Sequence, residues 1–282
     1  MTRDAFPADL DVLTGLVHEA FPRAGSVSIE RASGGHVVVV YRATVDGVRY
    51  YLRLAEEPGE DLTTDALVLE RLRTLDVCVP GVVAASPSTT TFPRSWMIMA
   101  EVPGRSIAQG GTDDEARQAA TAAGRDVAVI NSVPVAGFGW LQRDGSEQLT
   151  AELPSYSEFA GSYLPNPWPG RLSELFGQRQ LDVLHALVAG EQDRPLRGGH
   201  LVHGDLDVTH IYSDGGRYSG IIGPLADGYR EAIRRSAILL GLRQLSRWLS
   251  PERGYSLSKL LVQLRVAELS NLIDGKPAHQ ER

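Results

Sequence analysis

The hydrophobic spacing of this chain changes period partway along, and that change most limits what it can fold into. Residues 26–30, 36–45, 48–54, 82–85 and 95–101 are short segments rich in Val, Tyr and Arg, divided by turn residues. Such segments read as strands. From Thr112 onward the apolar residues recur mostly at helical spacing and in longer runs. A strand-rich first third followed by a helix-rich remainder points to an α+β fold, with two packed lobes and a cleft between them. The expected boundary divides residues 1–103 from residues 104–282.

Local signals fill in this frame. Leu10, Leu13, Leu16, Val17 and Phe21 mark an amphipathic helix over residues 9–21. Asp46-Gly47 is a two-residue hairpin signal. A second helix is expected over residues 62–75, and Pro103-Gly104 ends the strand region. Thr112 suits a helix cap and is followed by three acidic residues, so a helix through Ile130 is expected. Residues 133–148 read as a glycine-containing loop, and residues 155–163 and 172–188 as helices. A short strand over residues 217–222 follows the turn Asp214-Gly215-Gly216, and helices over residues 226–249 and 257–273 close the chain.

Composition excludes some functions. The net charge of −7 argues against nucleic acid as a main partner, because phosphate binding needs a basic face. It is compatible with a cationic small molecule, and equally with plain solubility. The single cysteine, Cys78, rules out an internal disulfide framework and a cysteine-rich zinc site. Its neighbours Val77, Val79 and Pro80 suggest a buried apolar position. The N-terminus lacks the long apolar core of a signal peptide, and no run reaches the ~18 apolar residues of a membrane helix. A soluble cytoplasmic protein is expected.

Chemistry concentrates in Leu-Val-His-Gly-Asp-Leu-Asp-Val-Thr-His-Ile-Tyr, residues 201–212. Asp205 follows a short apolar stretch that suits a rigidly held loop, and a carboxylate there can accept a proton from an alcohol. A solvated loop followed by a hairpin is the plainer account. With its continuation through Ile222, the string strongly resembles the catalytic and metal segment of the aminoglycoside phosphotransferase and choline-kinase-like small-molecule kinases. The resemblance runs from about His36 to Leu249. It implies a protein-kinase-like fold and ATP with magnesium as cofactors. It also implies a nucleotide-binding lobe over residues 1–103, and a helical lobe carrying the catalytic loop over residues 104–282. Asp205 and His203 become the candidate catalytic residues.

The same resemblance assigns nucleotide contacts. Gly34 and Gly35, in Ser33-Gly34-Gly35, sit where a nucleotide-covering loop belongs, though an ordinary turn explains them as well. Arg53 stands in the place of the phosphate-binding lysine. Asp65 stands in the place of the helix carboxylate that orients it. A solvent-facing strand residue and a helix-start carboxylate are their plain readings. Met99-Ala100-Glu101-Val102-Pro103-Gly104 resembles the hinge between lobes, where the backbone of Glu101 and Val102 would bond adenine.

The chain departs from the family at the metal. Five residues after the catalytic Asp the family has a metal-binding Asn, and here stands His210. Imidazole is a poor magnesium ligand, and a histidine bonded within its own loop is the alternative reading. The family strand ends in Ile-Asp, whose carboxylate holds magnesium. Here Ile222 is followed by Gly223-Pro224-Leu225. The segment from Glu231 to Leu249 resembles a late family helix that arrives early, as though an internal deletion had shortened the helical lobe and removed the Asp. Two functions follow. One is an ATP-dependent phosphotransferase acting on a hydroxyl of an aminoglycoside-like or other amino or hydroxyl compound. The other is a catalytically impaired relative that binds a small molecule or nucleotide. A hydrolase built on Asp205 and a histidine lacks an orienting third group.

Overall fold

The computed structural model describes residues 9–32, 40–55, 61–90, 92–142, 148–163, 170–192, 199–203 and 206–222. Beyond these it describes positions 241, 242, 245, 263, 266, 267, 269, 270, 273 and 274 of the closing segments. In chain order the elements are α1 (Leu10–Ala20), β1 (Val27–Arg31), β2 (Val40–Val45), β3 (Val48–Leu54), α2 (Leu62–Thr74), β4 (Val82–Ser86), β5 (Trp96–Ala100), β6 (Arg105–Ser106), α3 (Asp113–Ile130), β7 (Pro134–Val135), β8 (Phe138–Gln142), β9 (Thr150–Leu153), α4 (Tyr156–Tyr163), α5 (Gly170–Ser173), α6 (Gln178–Gln192), β10 (Gly199–His200), β11 (Ile211–Asp214) and β12 (Arg217–Ile221). They form two compact units, residues 1–133 with 201–226, and residues 134–200 with 227–282. Among the described residues no helix is long and apolar enough to cross a membrane.

The first unit is built on an antiparallel sheet of order β1-β2-β3-β5-β4. Strand alternation gives it two different faces. One carries Tyr41, Ala43, Val45, Leu52, Leu54, Trp96 and Ile98, and closes on Leu13, Leu16 and Val17 of α1. The other carries Met97 and Met99, packed with Leu62 and Ala66 of α2. Asp46 and Gly47 both have positive φ, 50° and 84°, as the tight hairpin turn requires. The Asp46 carboxylate also accepts the Gly25 and Ser26 amides, which pins the start of β1 to that turn. Asp61 caps α2, and Thr112 forms a full capping box with Glu115 at the head of α3.

Downstream in the same unit, β12-β11-β6 make a small sheet against which α3 packs. Pro103-Gly104 therefore leads straight into β6 and lies within this unit. Gly104 has φ +87°, and a Cβ there would stand 2.0 Å from the Ser213 carbonyl oxygen. The backbones of residue 104 and β11 can approach this closely only with glycine.

Three expectations change. Residues 133–148 are not a plain loop: β7 and β8 lie in them, and β8 pairs with β9. Gly137 and Gly139 have positive φ, 95° and 103°, beside a register shift within β8, and a Cβ at residue 137 would stand 2.5 Å from the Leu153 carbonyl oxygen. The helix expected over residues 172–188 divides into α5 and α6, with Gly177 just before the second. Cys78 is exposed; its backbone is what the fold uses, with its N–H on the Asp126 carboxylate at 2.9 Å and its carbonyl on the Ile221 N–H at 2.9 Å. The second unit has its own core, in which Leu172, Leu184, Leu242, Leu245 and Leu269 are fully buried. Residues 36–39 and most of residues 226–273 lie outside the described residues.

Candidate functional site

Arg53 lies between Leu52 and Leu54, which are buried on the α1 face, so its side chain emerges on the α2 face. There its Nη1 meets the Asp65 carboxylate, one turn into α2, at 3.1 Å. Arg53 is 25% exposed and Asp65 49%. Such an exposed pair adds under ~1 kcal/mol of stability. Its effect is to hold a guanidinium at a fixed place on the α2 face of the sheet.

Tyr51 shares that face, two residues earlier. Its hydroxyl donates to Glu101 Oε1 at 3.3 Å, and Arg49 Nε lies 3.3 Å from Glu101 Oε2. The Glu101 amide is itself committed to the Arg49 carbonyl at 3.4 Å. The buried Val102 has an amide with no hydrogen-bond partner among the described residues. At these two positions the Glu101 carbonyl and both backbone groups of Val102 have no hydrogen-bond partner among the described residues. Burial, and then the nearby Glu101 charge, push both the Tyr51 and the Tyr212 phenols upward in pKa. Across the sheet Arg42 stands opposite Tyr51 and is ion-paired with Glu30.

The second cluster surrounds the end of β12. His203 is 5% exposed, and its Nε2 lies 3.0 Å from the Ile222 carbonyl oxygen. A carbonyl only accepts, so Nε2 carries the proton. Nδ1 is buried with no partner among the described residues. Burial, and secondarily His210, hold the imidazole neutral, with its pKa lowered to about 2. The Ile222 N–H donates to the His210 carbonyl at 3.0 Å. The loop thus grips the Ile222 peptide from both sides. The His203 and His210 rings lie 5.8 Å apart.

Asp207 is spent inside the loop. Its carboxylate accepts the Thr209 amide at 2.6 Å and the Thr209 hydroxyl, which holds it below the usual carboxylate range. His210 Nδ1 lies 3.4 Å from the same carboxylate. Only Nε2 of His210 is left for a ligand, and one imidazole nitrogen is a poor offer to magnesium. Gly223 and Pro224 have no ligating side chain, and among the described residues no group of three His, Cys, Asp or Glu side chains is placed to hold a metal. The described residues therefore do not supply the magnesium site that the resemblance implies; the carboxylates of Asp205 and Asp227 lie outside them. Gly34, Gly35, Gly204, Asp205 and Gly223 lie outside the described residues.

Sequence reading passed over Tyr51 and Tyr212. The signal was available: alternation places Tyr51 on the face of Arg53, and Tyr212 follows two residues after His210. It also missed Asp126 on α3, which accepts both the Tyr218 hydroxyl at 2.6 Å and the Cys78 amide. No local pattern links those three.

No protein-family description matches the sequence, and no curated protein matches it. Solved structures do. The aminoglycoside phosphotransferase APH(4)-Ia superposes with a TM-score of 0.56 at 18% identity, over 95% of this chain and 93% of that one. A putative fructosamine-3-kinase from Haemophilus somnus 129PT gives 0.58 at 12% identity, over 93% and 96%. APH(2")-IIIa, solved with GDP and kanamycin, gives 0.56 at 15% identity, over 94% and 97%. The chain therefore has the α+β, kinase-like fold of these small-molecule phosphotransferases, with an antiparallel-sheet N-lobe.

Proposed function

We propose that this chain binds a nucleoside triphosphate, ATP by default, and transfers its terminal phosphoryl group to a hydroxyl of a small amino or hydroxyl compound. The Arg53–Asp65 pair carries this reading: it sets an oriented guanidinium beside Tyr51 and the hinge, in a chain with the fold of phosphotransferases. In this reading residues 1–103 are the nucleotide lobe and residues 104–282 the helical lobe. The purine lies between Tyr51 and Tyr212 and bonds the Glu101 carbonyl and the Val102 amide. Arg53 grips phosphate, and Gly34 and Gly35 cover it. Asp205 accepts the proton of the acceptor hydroxyl as the new O–P bond forms and the bond to the leaving nucleoside diphosphate breaks. His203, neutral and bonded to Ile222, positions the loop and moves no proton. Neighbours of the same fold have been solved with AMP-PNP and hygromycin B and with GDP and kanamycin, which supports an amine-bearing acceptor.

A binding module without turnover is the second reading, and Gly223 in the place of the metal carboxylate favours it. Nucleotide turnover across a panel of aminoglycosides and other amino alcohols separates the two. Turnover that Asp205→Ala abolishes supports the transferase. Nucleotide binding with no turnover on any acceptor leaves the binding module. Neither binding nor turnover refutes both.

A further inference from the structure

We propose that this chain binds its nucleotide as the metal-free polyphosphate, whose charge is met by arginines of the sheet. The inference rests on the nucleotide-site reading above. Magnesium requires hard oxygen donors in near-octahedral array. Gly223 and Pro224 supply none, Asp207 is consumed by Thr209, and His210 offers one nitrogen. Asp205 is a single carboxylate, assigned to the acceptor.

The sheet carries the complementary charge. Antiparallel register sets Arg42 opposite Tyr51 and Val40 opposite Arg53, so Arg42, Arg49, Tyr51 and Arg53 share one face. Arg42 and Arg53 are diagonal cross-strand neighbours, ~7–8 Å apart at the backbone, which a triphosphate spans. Each guanidinium now rests on a solvent-accessible carboxylate, Glu30 at 61% exposed and Asp65 at 49%. These pairs use only Nε and Nη2 of Arg42 and Nη1 of Arg53, so phosphate oxygens can take the remaining N–H donors while Asp65 keeps Arg53 oriented. Two arginines on one face, with glycine at position 223 where the resemblance places the metal carboxylate, let the sheet itself meet the triphosphate charge.

The test is calorimetric titration of the intact protein with AMP-PNP, in EDTA and in millimolar magnesium. The expected Kd differs by no more than about threefold between the two media, or is tighter in EDTA. Arg42→Met should raise the Kd in EDTA about tenfold, as loss of one charge-assisted contact does, while its melting temperature stays near that of the parent. Binding tightened about tenfold or more by magnesium overturns the inference and leaves the nucleotide site standing. An unchanged Kd in Arg42→Met overturns it as well. Absence of binding in both media overturns the nucleotide site itself.

Discussion

Lowering the pH should destabilise the first unit through His203. The imidazole is 5% exposed and its pKa is lowered from 6.5 to about 2 by burial and by His210. The unfolded chain takes up a proton near pH 6.5, whereas the folded chain does not until far lower. Stability is therefore full above 6.5 and falls as the pH drops below it. At about pH 5 the loss is RT ln(1 + 10^1.5), or about 2 kcal/mol. Any folded-state value below about 4 gives nearly the same figure at that pH, so the size of the effect is set by the unfolded value. The comparison is wild type against His203→Gln, which keeps a side-chain N–H for the Ile222 carbonyl and does not titrate. Urea unfolding is followed by far-ultraviolet circular dichroism, since three of the four tryptophans belong to the second unit. At about pH 7.5 the variant is expected to be the less stable of the two. By about pH 5 the gap should shrink by about 2 kcal/mol, because other titrating groups cancel in the difference. A gap constant to about 0.5 kcal/mol would show that His203 is not held neutral by burial.

Tyr218→Phe removes the 2.6 Å bond to Asp126, a half-buried, charge-assisted contact, and should cost about 1–3 kcal/mol in urea titration; no change would mean water replaces the phenol freely. Gly104→Ala places a methyl 2.0 Å from the Ser213 carbonyl at φ +87°, so beyond the ~1–2 kcal/mol of the left-handed conformation it must part β6 from β11. A large fall in melting temperature is expected, and a parental melting curve would contradict that packing. Arg53→Ala should lower stability by less than about 1 kcal/mol, because its ion pair is exposed, yet weaken nucleotide binding more than about tenfold. A large stability loss with unchanged binding would mark the pair as structural only.

How much of this was legible in the sequence depended on how far apart the interacting residues lie. Asp46-Gly47, the Thr112 cap and the alternation in β3 act over a few residues, and the structure places each as the sequence indicates. The Arg53–Asp65 pair spans 12 positions and follows once β3 and α2 are known. The β8–β9 hairpin was hidden because Gly137 and Gly139 look like loop residues, whereas Gly137 lets the backbone approach the Leu153 carbonyl. Cys78 misled because its apolar neighbours say nothing of its amide, which is tied to Asp126, 48 residues away.

The segment around His203 and His210 shows the same limit, with a consequence for function. His203 bonds Ile222 across 19 residues, and Ile222 in turn bonds the His210 carbonyl. These contacts give His203 and His210 a structural reason to be there. They would fix the end of β12 in an enzyme and in an inactive relative alike. Neither histidine therefore separates the two readings. The separation has to come from groups that the seam does not explain: the carboxylate of Asp205 on one side, and the missing carboxylate at Gly223 on the other. An alcohol can lose its proton to Asp205 without a metal, but the charge gathering on the transferred phosphoryl group then has to be met by guanidinium groups. In the transferase reading, turnover thus stands or falls with Arg53 and Arg42 acting together with Asp205. The Asp205→Ala turnover comparison and the magnesium-free binding titration examine the two halves of that one requirement.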